Sequence, residues 1–145
     1  MRLFDWPPVW TALFTLVAVA MGLVWSPLGD GAVVGGIAVV AAALALMGWA
    51  AVTMTRARTA ILPRKTPDAL VTGGPFAFSR NPIYLADLCF VAGLALVMGQ
   101  PLGLLLVWPL ARTLERRFIA GEEARLAQAF GAAYEAYRAR VRRWI

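Results

Sequence analysis

Two long apolar runs without a charged residue dominate the first half of the chain, at residues 9–25 and 32–54. A run of about 20 apolar residues is what an α-helix needs to cross the hydrocarbon core of a bilayer. A chain of 145 residues that is 61% hydrophobic has too small an interior to bury so much apolar surface in water. We therefore expect one domain over residues 1–145, an all-α integral membrane protein.

The second half of the chain predicts three further helices. We expect a third span at residues 83–98 and a fourth at 102–118, which gives about four transmembrane helices. The apolar part of the fourth span is too short to cross alone at about 1.5 Å per residue. We expect Pro109 to kink a crossing helix there, and a re-entrant hairpin is the alternative. Apolar residues at three- and four-residue steps predict an amphipathic cytoplasmic helix at 122–143.

The positive charge is confined to one side of this arrangement. All 14 Lys and Arg residues lie in the N-terminal region, the central loop at 55–82 or the C-terminal region, and the two short turns carry none. By the positive-inside rule the basic regions face the cytoplasm. We therefore expect a multi-pass protein of the cell inner membrane with both termini cytoplasmic. The net charge of +6 then reflects the cytoplasm and anionic lipid heads, and no nucleic-acid partner is expected.

Several kinds of chemistry lack the residues that they require. The chain has no histidine and a single cysteine, so histidine-based triads and intrachain disulfides are excluded. No CxxC pair suggests zinc, and we expect no metal site. There is neither a GxGxxG motif nor a P-loop, so the standard nucleotide-binding loops are absent.

The end of the central loop carries the first group of candidate residues. Gly73 and Gly74 can fold the backbone tightly and let a ligand approach it closely. Arg80 is a permanent cation that can bind a carboxylate, although binding of lipid phosphate is the alternative. Asn81 and Pro82 are typical of the start of a helix, with Asn81 as the N-cap.

Acidic and tyrosine side chains form the second group. Glu122 and Glu123 can hold hydroxyls or an ammonium or remove a proton, or they can simply stabilise a helix N-terminus. Asp87 is an ionisable residue inside a span, which is a functional candidate unless it reaches water. Tyr134 and Tyr137 can line a pocket or lie at the membrane interface.

Three motifs in a fixed order resemble the isoprenylcysteine carboxyl methyltransferase family and its bacterial relatives, which belong with the phospholipid methyltransferases. The first is Gly-Gly-Pro-Phe-x-Phe-Ser-Arg-Asn-Pro-x-Tyr-Leu from residue 73. The others are Glu-Glu at 122–123 and Phe-Gly-x-x-Tyr-x-x-Tyr from residue 130. The resemblance covers residues 70–145, about half of the chain.

The resemblance implies a cytoplasmic pocket for S-adenosylmethionine between the last two spans and the C-terminal segment. Arg80 would hold the cofactor's carboxylate, and Glu122 or Glu123 its ammonium or ribose hydroxyls. The other residues that it implies in cofactor binding are Gly73, Gly74, Asn81, Pro82 and Tyr84. Asn81 stands where the family usually has histidine, so hydrogen bonding can persist there but proton transfer cannot.

The activity implied is methyl transfer to a lipophilic or membrane-embedded acceptor. A phospholipid amine and an isoprenoid-type carboxylate or thiol both stay open as acceptors. An amine must lose a proton, for which Glu122, Glu123 and Asp87 are the catalytic candidates, while Tyr134 and Tyr137 are candidates for substrate binding. Two other classes are an NADPH-dependent membrane lipid reductase and a non-catalytic membrane protein that binds lipid or a partner.

Overall fold

The computed structural model describes residues 3–58 and 69–145, and this part of the chain is all-α, without a strand. Its α-helices are α1 (Pro7–Val24), α2 (Asp30–Arg56), α3 (Pro82–Val97), α4 (Val107–Leu114), α5 (Ala120–Phe130) and α6 (Ala132–Arg140). Short 3₁₀ segments lie at Leu3–Asp5, Gly74–Ala77 and Pro101–Leu106, and a π-helical segment lies at Glu115–Ile119. The predicted all-α class is confirmed. The middle of the predicted central loop, at residues 59–68, lies outside the described residues.

Two of the described helices, α1 and α2, are long and apolar enough to cross a membrane. Pro7 and Pro8 are the first two residues of α1, where a missing N–H costs no intrahelical hydrogen bond. Only 22% and 11% of the most apolar windows of α1 and α2 are buried within the protein. Most residues of these windows therefore face outward, as expected of helices that lie in lipid.

The predicted third span forms α3, a helix of 16 residues that packs closely along α2. The two backbones meet at glycines: a Cβ on Gly36 would lie 2.6 Å from the backbone nitrogen of Val97, and one on Gly93 would lie 2.9 Å from that of Val40. Small residues at such contacts are what membrane helices use to approach one another. Crossing of the bilayer by α3 stays a prediction.

The predicted fourth span at 102–118 is helical throughout but changes helix type, and its crossing of the bilayer stays a prediction. The side chain of Gln100 accepts a hydrogen bond from the Leu102 N–H (2.6 Å) and starts a six-residue 3₁₀ segment, which leads into α4. At about 2.0 Å per residue, this segment is roughly 3 Å longer than the same stretch of α-helix. Pro109 is the third residue of α4, directly after this change of helix type.

The amphipathic helix predicted at 122–143 is not one continuous helix, because it is divided at Gly131 and ends at Arg140. Gly131 has a φ of +48°, a backbone conformation that glycine adopts easily and that ends α5 before α6 begins. At the other end, α5 continues without interruption from α4 and the π-helical segment. Glu122 and Glu123 therefore do not lie at a free helix N-terminus, and stabilisation of a helix dipole does not explain them.

The hydrophobic core lies where α3 meets α4 and the π-helical segment. Tyr84, Leu88 and Val91 of α3 contact a group of buried residues from the opposite side. That group consists of Leu110, Leu114, Phe118 and Ile119. This packing fixes α3 against the helix that leads to Glu122 and Glu123. It therefore positions the candidate residues at the start of α3 relative to those two glutamates.

Candidate functional site

A cavity of about 710 Å³ lies between α1, α2 and α3, the loop before α3, and helices α5 and α6. Most of its lining is apolar, from residues such as Leu44, Met47 and Phe90. Five of its polar lining residues, which we call the polar patch, come from the loop before α3 and from α5 and α6: Arg80, Glu122, Arg125, Tyr134 and Tyr137. The volume is within the range of small-molecule sites, roughly 300–1,000 Å³. The cavity therefore suits a ligand with a large apolar part and a small charged part.

The loop before α3 is held in place by backbone geometry and by α6. Gly74 has a φ of +60°, and a Cβ there would lie 3.0 Å from the Thr53 hydroxyl of α2. The Tyr137 hydroxyl donates to the Phe76 carbonyl (2.7 Å). Neither Gly73 nor Gly74 lines the cavity; Gly74 lies against α2, and contact of the two glycines with a cofactor stays a prediction.

Arg80 lines the cavity with a guanidinium that is only partly paired. Its Nη2 lies 3.0 Å from Oε1 of Glu123, and its side chain is 10% exposed. Its Nε and Nη1 are buried and have no hydrogen-bond partner. Because buried donors in native proteins are almost always satisfied, these two nitrogens fit an anionic ligand group.

The two adjacent glutamates differ in what they contact. Glu122 lines the cavity and accepts a hydrogen bond from the Tyr84 hydroxyl (2.8 Å). Burial raises the pKa of the Glu122 carboxyl, and this hydrogen bond and the charge of Arg125 lower it in part. Glu123 does not line the cavity, because its oxygens bind Arg80 and the Nε and Nη2 of Arg143, at 3.1 and 2.6 Å. Of the predicted pair, only Glu122 lines the cavity.

Asn81 immediately precedes α3, as predicted, but its side chain does not cap the helix. Its Nδ2 donates to the Arg143 carbonyl (3.0 Å), and its backbone N–H donates to the Ser79 hydroxyl (3.1 Å). Pro82 follows as the first residue of α3 and lines the cavity with Asn81. The amide thus connects the start of α3 to the segment after α6.

Tyr134 and Tyr137 of α6 both line the cavity, their rings 6.3 Å apart in an edge-on contact. Burial raises the pKa of Tyr134 and raises that of Tyr137 to about 12, so both phenols stay protonated at neutral pH. The Tyr134 hydroxyl is buried and has no hydrogen-bond partner. It can donate to a ligand, as its predicted role in substrate binding requires.

Asp87 lies one turn into α3 and is 7% exposed. It lines the cavity and contacts the Thr11 hydroxyl of α1. The prediction left open whether this acid reaches water, and the structure places it inside the protein. Asp87 is therefore available to a ligand within the cavity.

Three residues that the sequence did not single out as site residues contribute to the site. Arg125 lies one turn after Glu122 on α5 and has a buried Nε without a partner. Thr15 of α1 has a buried hydroxyl without a partner, and Arg143 binds Glu123. The spacing of Glu122 and Arg125 was a usable signal, whereas nothing in the sequence marked Thr15 or Arg143.

The buried side-chain atoms without a hydrogen-bond partner share one location. In the described part of the chain they belong to Thr15, Arg80, Arg125 and Tyr134, and all four residues line the cavity. Leaving a buried polar group unpaired costs about 1–3 kcal/mol. A ligand that carries a carboxylate and several hydroxyls would satisfy these groups, so the donor set fits S-adenosylmethionine. Within residues 3–58 and 69–145, no cluster of acidic, histidine or cysteine side chains has the composition of a metal site.

The helical fold, the two long apolar helices and the largely apolar cavity with charged lining residues are typical of one class. That class is the membrane-associated helical proteins that bind ligands with an apolar and a charged part. A comparison with protein-family models matches residues 32–133 to the family described as phospholipid methyltransferase. The match covers more than half of the chain, and the chain belongs to the phospholipid methyltransferase family. It is thereby a methyltransferase of lipid-type substrates. The match includes α2, which the motif resemblance left out, and no curated protein matches significantly.

Proposed function

We propose that this protein is an S-adenosylmethionine-dependent methyltransferase that methylates a lipophilic acceptor within the membrane. The observation that carries the proposal is the location of the unpaired buried donors, all of which belong to residues lining one largely apolar cavity. Family membership supports methyl transfer to a lipid-type substrate. The free nitrogens of Arg80 support a cofactor with a carboxylate.

The residues of the polar patch divide the work of holding the cofactor. Arg80 binds the carboxylate through its free donors, and Glu122 binds the ammonium or the ribose hydroxyls. Tyr84 orients the Glu122 carboxylate by donating to it, and Asn81 and Pro82 set the start of α3 beside them. When bound, S-adenosylmethionine supplies a methyl group on an electrophilic sulfonium. The protein's own task is to orient the two partners and exclude water.

The apolar lining of the cavity holds the acceptor. Residues from α1, α2 and α3 contribute to it, and α1 and α2 are the helices with membrane length. A lipid can therefore enter from the bilayer without leaving apolar surroundings. A carboxylate acceptor needs no base, whereas an amine acceptor gives its proton to Glu122 or Asp87, the two acids that line the cavity among the residues that the structure describes. Tyr134 donates a hydrogen bond to acceptor or cofactor.

The membrane arrangement that we propose is multi-pass, in the inner membrane, with both termini in the cytoplasm. It is supported by the charges: the turn before α2 and the turn before the Pro101–Leu106 segment contain no Lys or Arg. The loop that carries Arg80 and the helices that carry Glu122 and Tyr134 then share the cytoplasmic face. Water-soluble cofactor is available at that face.

The test is calorimetry on detergent-purified protein with S-adenosylhomocysteine and, separately, NADPH. We expect S-adenosylhomocysteine to bind and Arg80→Ala to weaken it about tenfold or more, because a hydrogen bond to a charged group is lost. Arg116→Ala is the matched control, since Arg116 is exposed on the π-helical segment. Binding of NADPH alone would favour the reductase, and binding of neither would leave a non-catalytic membrane protein.

A further inference from the structure

The segment after α6, residues 141–145, lies across the loop that leads into α3. Three hydrogen bonds attach the loop to it: the Arg80 N–H donates to the Arg142 carbonyl (3.0 Å), and the Ser79 hydroxyl and the Asn81 amide both donate to the Arg143 carbonyl (3.3 and 3.0 Å). All three loop residues are adjacent in sequence, and the middle one, Arg80, carries the partly paired guanidinium. The segment therefore fixes the backbone from which Arg80 extends.

Side chains of the same segment attach it to the helix that carries Glu122 and Glu123. The Arg143 guanidinium donates twice to Glu123, at 3.1 and 2.6 Å, and the Trp144 indole donates to Glu115 at 2.9 Å. Glu115 and Glu123 lie at the start of the π-helical segment and in the first turn of α5. The segment thus connects the loop that carries Arg80 to the helix that carries Glu122.

The Glu123 carboxylate binds Arg80 and Arg143 unequally. Glu123 is a single carboxylate between two guanidiniums, those of Arg80 and Arg143, and Glu115 lies 3.8 Å from Arg143, so the two carboxylates and the two guanidiniums balance in charge. Arg143 makes two of the hydrogen bonds to Glu123, and this contact raises the pKa of Arg143. Arg80 makes one contact and keeps two buried donors free. Without Arg143, Glu123 would attract those free donors of Arg80 instead.

We infer that Arg143 is a positioning residue: it binds and neutralises Glu123, so that Arg80 keeps donors free for an anionic ligand group in the cavity. Arg143 does not line the cavity and acts only through its neighbours. The inference rests on the proposed function, because it takes the ligand group to be the carboxylate of the cofactor. It also changes the role of Glu123 from direct cofactor contact to the support of Arg80.

Two ligands separate positioning of Arg80 from general damage to the fold. S-adenosylhomocysteine has the amino-acid carboxylate, whereas 5′-methylthioadenosine has the same nucleoside and thioether without it. We expect Arg143→Gln to weaken the binding of S-adenosylhomocysteine about tenfold in calorimetry and to leave the binding of 5′-methylthioadenosine unchanged. Arg143→Lys keeps the charge and should recover part of the loss.

A second substitution tests the charge argument itself. Adding Glu123→Gln to Arg143→Gln removes the charge that would attract Arg80 and leaves an oxygen that can accept from it. With Glu123→Gln alone measured beside them, the double variant should bind S-adenosylhomocysteine more tightly than Arg143→Gln alone, by more than Glu123→Gln strengthens binding in the unaltered protein, which is a non-additive result. If Arg143→Gln is too unstable to purify, Arg143→Lys carries the test by direct comparison with the unaltered protein: its affinity for S-adenosylhomocysteine should fall and its affinity for 5′-methylthioadenosine should not.

The outcomes are distinguishable. The inference would be overturned if Arg143→Gln lost affinity equally for both ligands or for neither. Additive losses of affinity in the double variant would also overturn it. Each of these results would leave the proposed function standing. Failure of the unaltered protein to bind S-adenosylhomocysteine would overturn the proposed function and, with it, the inference.

Discussion

The contact between α2 and α3 depends on Gly36, and replacing it with alanine should separate the two helices. A Cβ on Gly36 would lie 2.6 Å from the backbone nitrogen of Val97 and 2.7 Å from the carbonyl oxygen of Gly93. Both atoms belong to the backbone of α3, so neither can move away without the helix, as an atom of a flexible side chain could. The helices must move apart, and α3 carries Tyr84 and Asp87 into the cavity.

Gly35→Ala is the matched control for Gly36→Ala, and the expected difference in stability follows from comparing the two. A Cβ on Gly35 would meet no atom within 4 Å. Both substitutions gain about 1 kcal/mol because alanine is a better helix former than glycine. Only Gly36→Ala incurs the overpacking cost of about 1–3 kcal/mol. The propensity gain cancels between the two variants, so Gly36→Ala should be less stable than Gly35→Ala by about 1–3 kcal/mol.

The assay is thermal unfolding of both variants in the same detergent, followed by circular dichroism, with S-adenosylhomocysteine binding as a second readout. We expect the Tm of Gly36→Ala to lie below that of Gly35→Ala and its affinity for S-adenosylhomocysteine to be reduced. If Gly36→Ala is as stable as Gly35→Ala and binds equally well, the close packing of α2 on α3 is refuted.

Three further predictions concern the core and Glu122. Leu110→Ala should destabilise the protein by about 2–5 kcal/mol in thermal unfolding, because Leu110 is fully buried, whereas exposed Leu105→Ala should change little. Tyr84→Phe removes a hydrogen bond that lowers the pKa of Glu122, so the pH below which S-adenosylhomocysteine binding is lost should rise. Because burial raises the pKa of Glu122, its ionisation costs stability above that pKa; Glu122→Gln should raise Tm at neutral pH yet weaken binding. A lower Tm for Glu122→Gln or an unmoved pH profile for Tyr84→Phe would contradict these two.

Hydrophobic patterning predicted much of the first half of the fold. The uncharged runs at 9–25 and 32–54 correspond to α1 and α2, and the run at 83–98 corresponds to α3, with ends that differ by a residue or two. This succeeded because proline and glycine set local limits to these helices and long apolar runs allow few other structures.

The region after α3 could not be predicted in the same way. The change from 3₁₀ to α to π helix between Pro101 and Ile119 leaves no period in the sequence, and the close approach of Gly103 to Ala95 in this region is a tertiary contact. Gly131 could have been read as a helix end, but the periodic pattern on either side of it favoured one continuous helix.

The candidate site was predicted as a set of residues but not as a set of contacts. Arg80, Glu122 and Tyr134 came from motifs, and all three line the cavity. The separate role of Glu123 was not predictable, because it depends on Arg143, a residue far along the chain whose only sequence feature is its charge. Contacts of this kind follow from the tertiary structure and not from spacing along the chain.

The most direct test of the central claim is transfer of label from methyl-labelled S-adenosylmethionine into a total lipid extract. The unaltered protein and Arg80→Ala are assayed side by side in the same detergent or vesicles. We expect label in the organic phase with the unaltered protein and little or none with Arg80→Ala. No label with the unaltered protein, or equal label with both, would contradict a methyltransferase that holds its cofactor through Arg80 in this cavity.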